Sequence, residues 1–158
     1  MATGTPATAL LTREKVSFSL HPYDHDPRAE AYGDEAAAAL GVPPERIFKT
    51  LIAAVDGLLA CAVVPVAGRL DLKALAATLG AKRAELAEAS AATRATGYVV
   101  GGISPIGQKT RLPVVVDDSA ITFETVYVSA GKRGLQVQLA PADLVRVTGG
   151  RVAAIAAS

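Results

Sequence analysis

Three stretches of the 158-residue chain carry residue types that could do chemistry. The first is Lys49, inside Ile47-Phe-Lys-Thr-Leu-Ile-Ala-Ala-Val55, where every neighbour except Thr50 is apolar. A lysine in such a strand must snorkel to water, pair with an anion or line a pocket. The plainer reading is an edge-strand lysine that guards against aggregation. The second stretch, Gly97-Tyr-Val-Val-Gly-Gly-Ile-Ser-Pro-Ile-Gly-Gln-Lys-Thr-Arg-Leu-Pro113, is an apolar start broken into a glycine-rich loop. Paired glycines let main-chain amides approach a ligand, and Pro105 stiffens the turn. Amides pointing one way can hold a phosphate, a carboxylate or a developing oxyanion. The third is Ser129-Ala-Gly-Lys-Arg-Gly134, which is either a plain hairpin turn or a way to set a hydroxyl and a guanidinium beside an anionic backbone.

Familiar chemistries do not fit these residues. Gly102-Ile-Ser-Pro-Ile-Gly107 has the interval of a phosphate-binding loop, but Gln108 intrudes before Lys109-Thr110. A serine-hydrolase elbow would need glycine where Ile106 follows Ser104 by two. His21 and His25 share a loop with Asp24 and Asp26, yet proline interrupts the helix their spacing would need and no third ligand cluster is visible. Tyr23, in the same loop, could offer a hydroxyl and a ring face to a ligand, or be an ordinary amphipathic surface aromatic. Lys82, Arg83, Lys109, Arg111, Lys132 and Arg133 would make a modest phosphate groove if they converge, and scattered solvated charge if they do not.

The elements that must position these residues follow from periodicity and punctuation. Residues 1–5 read as a loose tail and Pro6 as a helix start, before an alternating strand over Val16, Phe18 and Leu20. A helix over Tyr32–Leu40 stops at Gly41. Ile47–Val55 and Leu58–Val64 are joined by Asp56-Gly57, a strong hairpin signal. With a two-residue turn, Lys49 lies opposite Val64 and Ile52 opposite Cys61, so Lys49 and Cys61 point to opposite faces. That makes Cys61 a small core residue rather than a nucleophile. Asp71 caps a helix ending at Gly80, and a further helix is expected from Lys82 to Arg94. Strands are expected over Tyr98–Val100, Pro113–Val116, Phe123–Ser129, Leu135–Leu139 and Arg151–Ile155, with a short helix from Pro141 to Leu144. Helices interspersed with short strand connections predict an α+β domain, a curved mixed sheet, partly barrel-like, flanked by helices.

Composition bounds the rest. The length suits one domain spanning 1–158, and no apolar run is long enough to span a bilayer. The first residues lack the features of a signal peptide, and one cysteine fits a reducing cytosol, so a cytoplasmic protein is expected. A net charge of +1 argues against a basic nucleic-acid coat, so any RNA contact needs a local patch or a partner.

Together, Tyr32-Gly-Asp-Glu-Ala-Ala, Ile47-Phe-Lys-Thr-Leu51, Thr96 through Lys109 and Ser129-Ala-Gly-Lys-Arg-Gly134 resemble the YbaK/EbsC family of Cys-tRNA(Pro) deacylases, in the family's order over roughly residues 15–147. That family belongs to the superfamily of prolyl-tRNA synthetase editing domains. The resemblance implies removal of cysteine from mischarged tRNA(Pro), with no cofactor and no metal, in partnership with prolyl-tRNA synthetase. It implies that activity depends on Lys49 and on the loop of Gly101, Gly102, Ile103 and Ser104. It further implies that Tyr23, Phe48, Thr50, Pro105, Ser129, Gly131 and Arg133 contact substrate. In the mechanism proposed for the family, the substrate's own thiol attacks the ester, so the protein needs only to orient the chain and stabilise an oxyanion. Three other readings stay open: a preference for another mischarged tRNA such as Ala-tRNA(Pro), a non-catalytic module that binds tRNA or a synthetase, and a small-molecule phosphate binder.

Overall fold

The computed structural model describes residues 4–158. Of the expected tail, residues 1–3 lie outside the described residues, and Thr5 is the N-cap of helix α1 (Pro6–Arg13). The Thr5 hydroxyl accepts from the Thr8 amide, and the Thr8 hydroxyl accepts from the Thr5 amide, which satisfies two donors at once. Strand β1 (Phe18–Pro22) and helix α2 (Tyr32–Leu40) follow, the helix ending on Gly41 at φ 65°.

The hairpin of β2 (Phe48–Val55) and β3 (Leu58–Pro65) has the register that the Asp56-Gly57 turn predicts, with Lys49 opposite Val64 and Ile52 opposite Cys61. Next come β4 (Arg69–Leu70), α3 (Leu72–Thr78), β5 (Ala84–Leu86) and α4 (Ala89–Thr96). The glycine loop leads to β6 (Val114–Asp117) and a 3-10 turn over Asp118–Thr122. The chain continues with β7 (Val126–Lys132), β8 (Leu135–Leu139), α5 (Pro141–Thr148), β9 (Arg151–Ala153) and β10 (Ala156–Ala157).

A mixed five-stranded sheet runs β5-β2-β3-β6-β9, parallel only where β6 meets β3 and β9. A three-stranded antiparallel sheet runs β1-β8-β7, and β4 pairs with β10. The principal core lies between the two larger sheets: Phe48, Ile52, Cys61 and Val63 from one meet Val126, Val128 and Val137 from the other, closed by Leu11 of α1 and Leu144 of α5. The opposite face of the five-stranded sheet, with Ala53, Ala62, Val64 and Val115, is covered by Leu75 of α3 and by Ile155. The Asp117 carboxylate fastens the last strands by accepting from the Ile155 and Ala156 amides at 3.0 and 2.9 Å. No described helix is long and apolar enough to cross a membrane.

Two expected elements are different. The helix expected from Lys82 to Arg94 is instead strand β5 followed by α4. The cause lies in the hairpin turn, where the Asp56 carboxylate accepts from the Lys82 and Arg83 amides, both at 3.0 Å. That lays the segment along β2, and sheet pairing overrides the helical propensity of Ala, Glu and Lys. Tyr98–Val100 forms no strand. Tyr98 is buried and its hydroxyl donates to the Ile106 carbonyl at 2.7 Å, so the residue pins the loop across its own width.

The site is positioned by a gap in the edge of β2. At one end of that edge, the Tyr127 amide donates to the Arg46 carbonyl (3.2 Å) in a lone parallel bridge between Ile47 and Tyr127. At the other end, the Ala87 amide donates to the Ile52 carbonyl (2.9 Å) and the Asp56 amide to the Arg83 carbonyl (2.9 Å). Even-numbered residues of β2 therefore turn their main-chain groups to this edge. Thr50 falls where β7 has diverged and β5 has not begun.

Candidate active site

A cavity of about 390 Å³ opens at that gap. Because a strand edge forms one wall, side chains from both faces of β2 reach it: Phe48, Thr50 and Ile52 from the core face, Lys49 and Leu51 from the other. Facing them are Gly101 and Ile103 of the glycine loop, Ser129 of β7 and Gln136 of β8, with Tyr32 and Asp34 of α2 at the rim. The hydrophobic walls with a few polar groups are what a small-molecule site requires.

Of the residues singled out in the sequence, the cavity brings together Lys49, Phe48, Thr50, Gly101, Ile103 and Ser129. The others stand behind it. The Gly102 amide donates to the Val99 carbonyl at 2.9 Å, so it holds the turn rather than facing a ligand. Ser104 is fully buried, and its hydroxyl accepts from the Ile106 amide at 3.2 Å. Pro105 is buried beside it. Gly131 has φ 109°, and a β-carbon there would sit 2.8 Å from the Tyr98 ring, so it is the point where the end of β7 meets the glycine loop. Tyr23 reaches the site indirectly. Its amide donates to the Gly134 carbonyl at 2.9 Å, and its hydroxyl is hydrogen-bonded by the Gln136 side chain. Burial raises the pKa of its hydroxyl, partly offset by hydrogen bonding from Gly134 and Gln136.

Arg133 braces the rim. Its Nε donates to the Val100 carbonyl at 2.8 Å, and its guanidinium stands 5.1 Å over the Tyr32 ring. Gly101, at φ 87°, packs against the other part of this assembly: a β-carbon there would meet three Tyr32 ring atoms at 2.7–2.9 Å. Tyr32 thus ties α2, the glycine loop and the turn after β7 together. Behind it the two histidines go separate ways. His25 Nδ1 lies 2.7 Å from Glu35, and His21 Nε2 lies 2.9 Å from the Gln138 amide oxygen. Glu35 also accepts from the Asp26 amide at 2.7 Å, and the His25 bond followed by that amide lowers its pKa.

Two polar atoms on the cavity wall have no hydrogen-bond partner among the described residues: the Thr50 hydroxyl and the Gln136 side-chain carbonyl. A buried polar group left without a partner costs about 1–3 kcal/mol, so these two atoms call for a partner from a ligand or an ordered water. Sequence reasoning missed Gln136 and Tyr32. Gln136 was findable, because the hairpin through Gly134 sets it directly across from Ser129. Cys61 is fully buried in the core with its thiol pushed up to about 12 by that burial, so it is a packing residue and no thiolate is available there.

The family described as "Aminoacyl-tRNA editing domain" matches residues 26–147. A protein of Enterococcus faecalis named "Putative Cys-tRNA(Pro)/Cys-tRNA(Cys) deacylase EbsC" is 39% identical over 156 residues, covering 96% of this chain and 92% of that one. A proline–tRNA ligase of Shouchella clausii is 34% identical over 102 residues, which are 64% of this chain and 18% of the ligase. The crystal structure of hypothetical protein APE2540 superposes with a TM-score of 0.86 at 28% identity, covering 97% of this chain and 100% of that one. On the extent of the family match and the near full-length relative, the chain belongs to the aminoacyl-tRNA editing domain family.

Proposed function

We propose that the chain is a deacylase that removes cysteine from Cys-tRNA(Pro). One observation carries the reading. The cavity joins a lysine, loop main chain and unpartnered polar groups, yet no cysteine or histidine lines it. Such a site can bind and polarise an ester but supplies no nucleophile of the Ser–His or Cys–His kind. A cysteinyl ester brings its own. Its thiol sulfur attacks the carbonyl carbon, the carbonyl electrons move to oxygen, and collapse expels the ribose oxygen. The thiol proton ends on that ribose oxygen, the carbon–sulfur bond closes a four-membered thiolactone, and the tRNA 3′ end is free.

The Lys49 ammonium and the main chain of Gly101 and Ile103 line the cavity, and in this reading they stabilise the transient oxyanion. Holding thiol and carbonyl in contact makes the step intramolecular. Phe48, Leu51 and Ile52 give the pocket an apolar wall. A net charge of +1 suits a protein that receives its tRNA with the help of prolyl-tRNA synthetase, and the likeness to part of a proline–tRNA ligase supports that partner.

The test is a panel of cysteinyl, alanyl, seryl and prolyl esters on one tRNA(Pro). Cysteinyl-tRNA should be cleared, with the thiol-free esters at least about 100-fold slower. Alanyl-tRNA cleared as fast as cysteinyl-tRNA would replace the thiol route with attack by water. Protection of every ester without turnover would make the chain a binding module.

A further inference from the structure

The unpartnered Gln136 carbonyl and Thr50 hydroxyl belong to residues from two different sheets that line one cavity. Gln136 is 7% exposed, so bulk solvent scarcely reaches it. Its side chain hydrogen-bonds the Tyr23 hydroxyl on one side and faces Ser129 across the strand pair on the other. An amide oxygen is an acceptor only, so whatever completes this wall must donate. An aminoacyl ester offers two strong donors, the α-ammonium and the ribose 2′-hydroxyl. The charged one makes the stronger bond. The Asp34 carboxylate at the rim adds negative potential to the same cavity, while its cation, Lys49, comes from the β2 edge.

Resting on the deacylase reading, we propose that Gln136, with Thr50, reads the free α-ammonium of the aminoacyl ester. Esters whose amino group is acylated, including those carrying a peptide, are thereby excluded. An N-acyl group removes the charge and replaces the ammonium's donors with a bulkier acyl chain beside the Gln136 carbonyl. Gln136 is then a specificity residue. It does not touch the breaking bond, and its loss should raise KM for the free-amine ester far more than it lowers kcat.

The experiment uses two uncleavable analogues, cysteine joined through an amide to 3′-amino-3′-deoxyadenosine, one with a free amino group and one N-acetylated. Each is titrated calorimetrically into the wild-type protein, Gln136→Leu and Gln136→Glu, with circular dichroism confirming the fold. The wild type should bind the free-amine analogue at least about tenfold more tightly, the worth of one charge-assisted hydrogen bond. Gln136→Leu should bring the two within about threefold. Gln136→Glu, which keeps the acceptor and adds a charge, should preserve or widen the preference. Raising the pH until the α-amino group loses its proton should narrow it in the wild type.

Equal binding of both analogues by the wild type, or a full preference surviving in Gln136→Leu, overturns the proposal while leaving the deacylase reading intact. Failure of the wild type to bind either analogue overturns both.

Discussion

Replacing Lys49 with alanine should lower kcat/KM for Cys-tRNA(Pro) by about 100- to 1,000-fold, the cost of removing one preorganised charge or donor from a developing oxyanion. The same change should shift the melting temperature little. Lys49 is half-buried at the open part of the β2 edge, stands opposite Val64, and makes no ion pair among the described residues. Nothing in the core is opened by its loss, and a surface-type substitution of this kind usually moves stability by less than about 0.5 kcal/mol. Single-turnover deacylation and thermal denaturation measured on one preparation check both halves. Lys49→Arg sharpens the reading, since it keeps the charge but replaces a compact ammonium with a planar fork. Partial activity there points to charge as the requirement, and none points to the shape of the head group. An alanine variant that works as fast as wild type would take Lys49 out of the mechanism.

Gly101→Ala should be nearly as damaging to activity, and unlike Lys49→Ala it should also destabilise. The backbone there is left-handed at φ 87°, a conformation that costs a residue with a β-carbon about 1–2 kcal/mol. The new methyl would also press 2.7–2.9 Å against the Tyr32 ring. That ring cannot yield quietly, because it carries the Arg133 guanidinium and forms part of the cavity rim. Displacement of about 1 Å at such a site can cost roughly 100-fold in rate. Gly57→Ala is the matched control. Gly57 has the same kind of backbone, φ 85°, but nothing within 4 Å of an added β-carbon. It should show the backbone strain alone, a lowered melting temperature with turnover kept. Equal loss of turnover in the two variants would mean that the packing of Gly101 on Tyr32 does not shape the site.

The contrast between those two glycines shows what the chain discloses before it folds. Asp56-Gly57 announces its turn, and the turn alone fixes the register that sets Lys49 and Cys61 on opposite faces. That inference is local, and short-range turn chemistry is the part of a sequence that reads most directly. The Lys82–Arg94 segment misleads for the complementary reason. Its residues favour a helix, but two amide hydrogen bonds donated to the Asp56 carboxylate, 26 and 27 residues away in sequence, hold it against β2. Gly102 and Ser104 look like ligand-facing residues because the glycine loop is rich in candidate donors. Only the folded loop shows that one amide is spent on Val99 and that the hydroxyl is enclosed. Gln136 escapes notice because its neighbours Leu135 and Val137 are core residues, and its importance lies in a partner it lacks rather than one it has. The cavity itself belongs to the divergence of β5 and β7 along one edge, a tertiary event with no signature in any single stretch.

The proposed deacylation requires one placement: the ester in the gap along β2, with its carbonyl between the Lys49 ammonium and the main chain of Gly101 and Ile103. A crystal structure of the protein with the free-amine cysteinyl amide analogue tests this most directly. The account predicts the aminoacyl group inside the cavity, its carbonyl oxygen within hydrogen-bond reach of the Lys49 Nζ, and the adenosine leaving past Tyr32. An analogue bound elsewhere on the protein, or bound in the cavity with its carbonyl turned away from both Lys49 and the glycine loop, would contradict it.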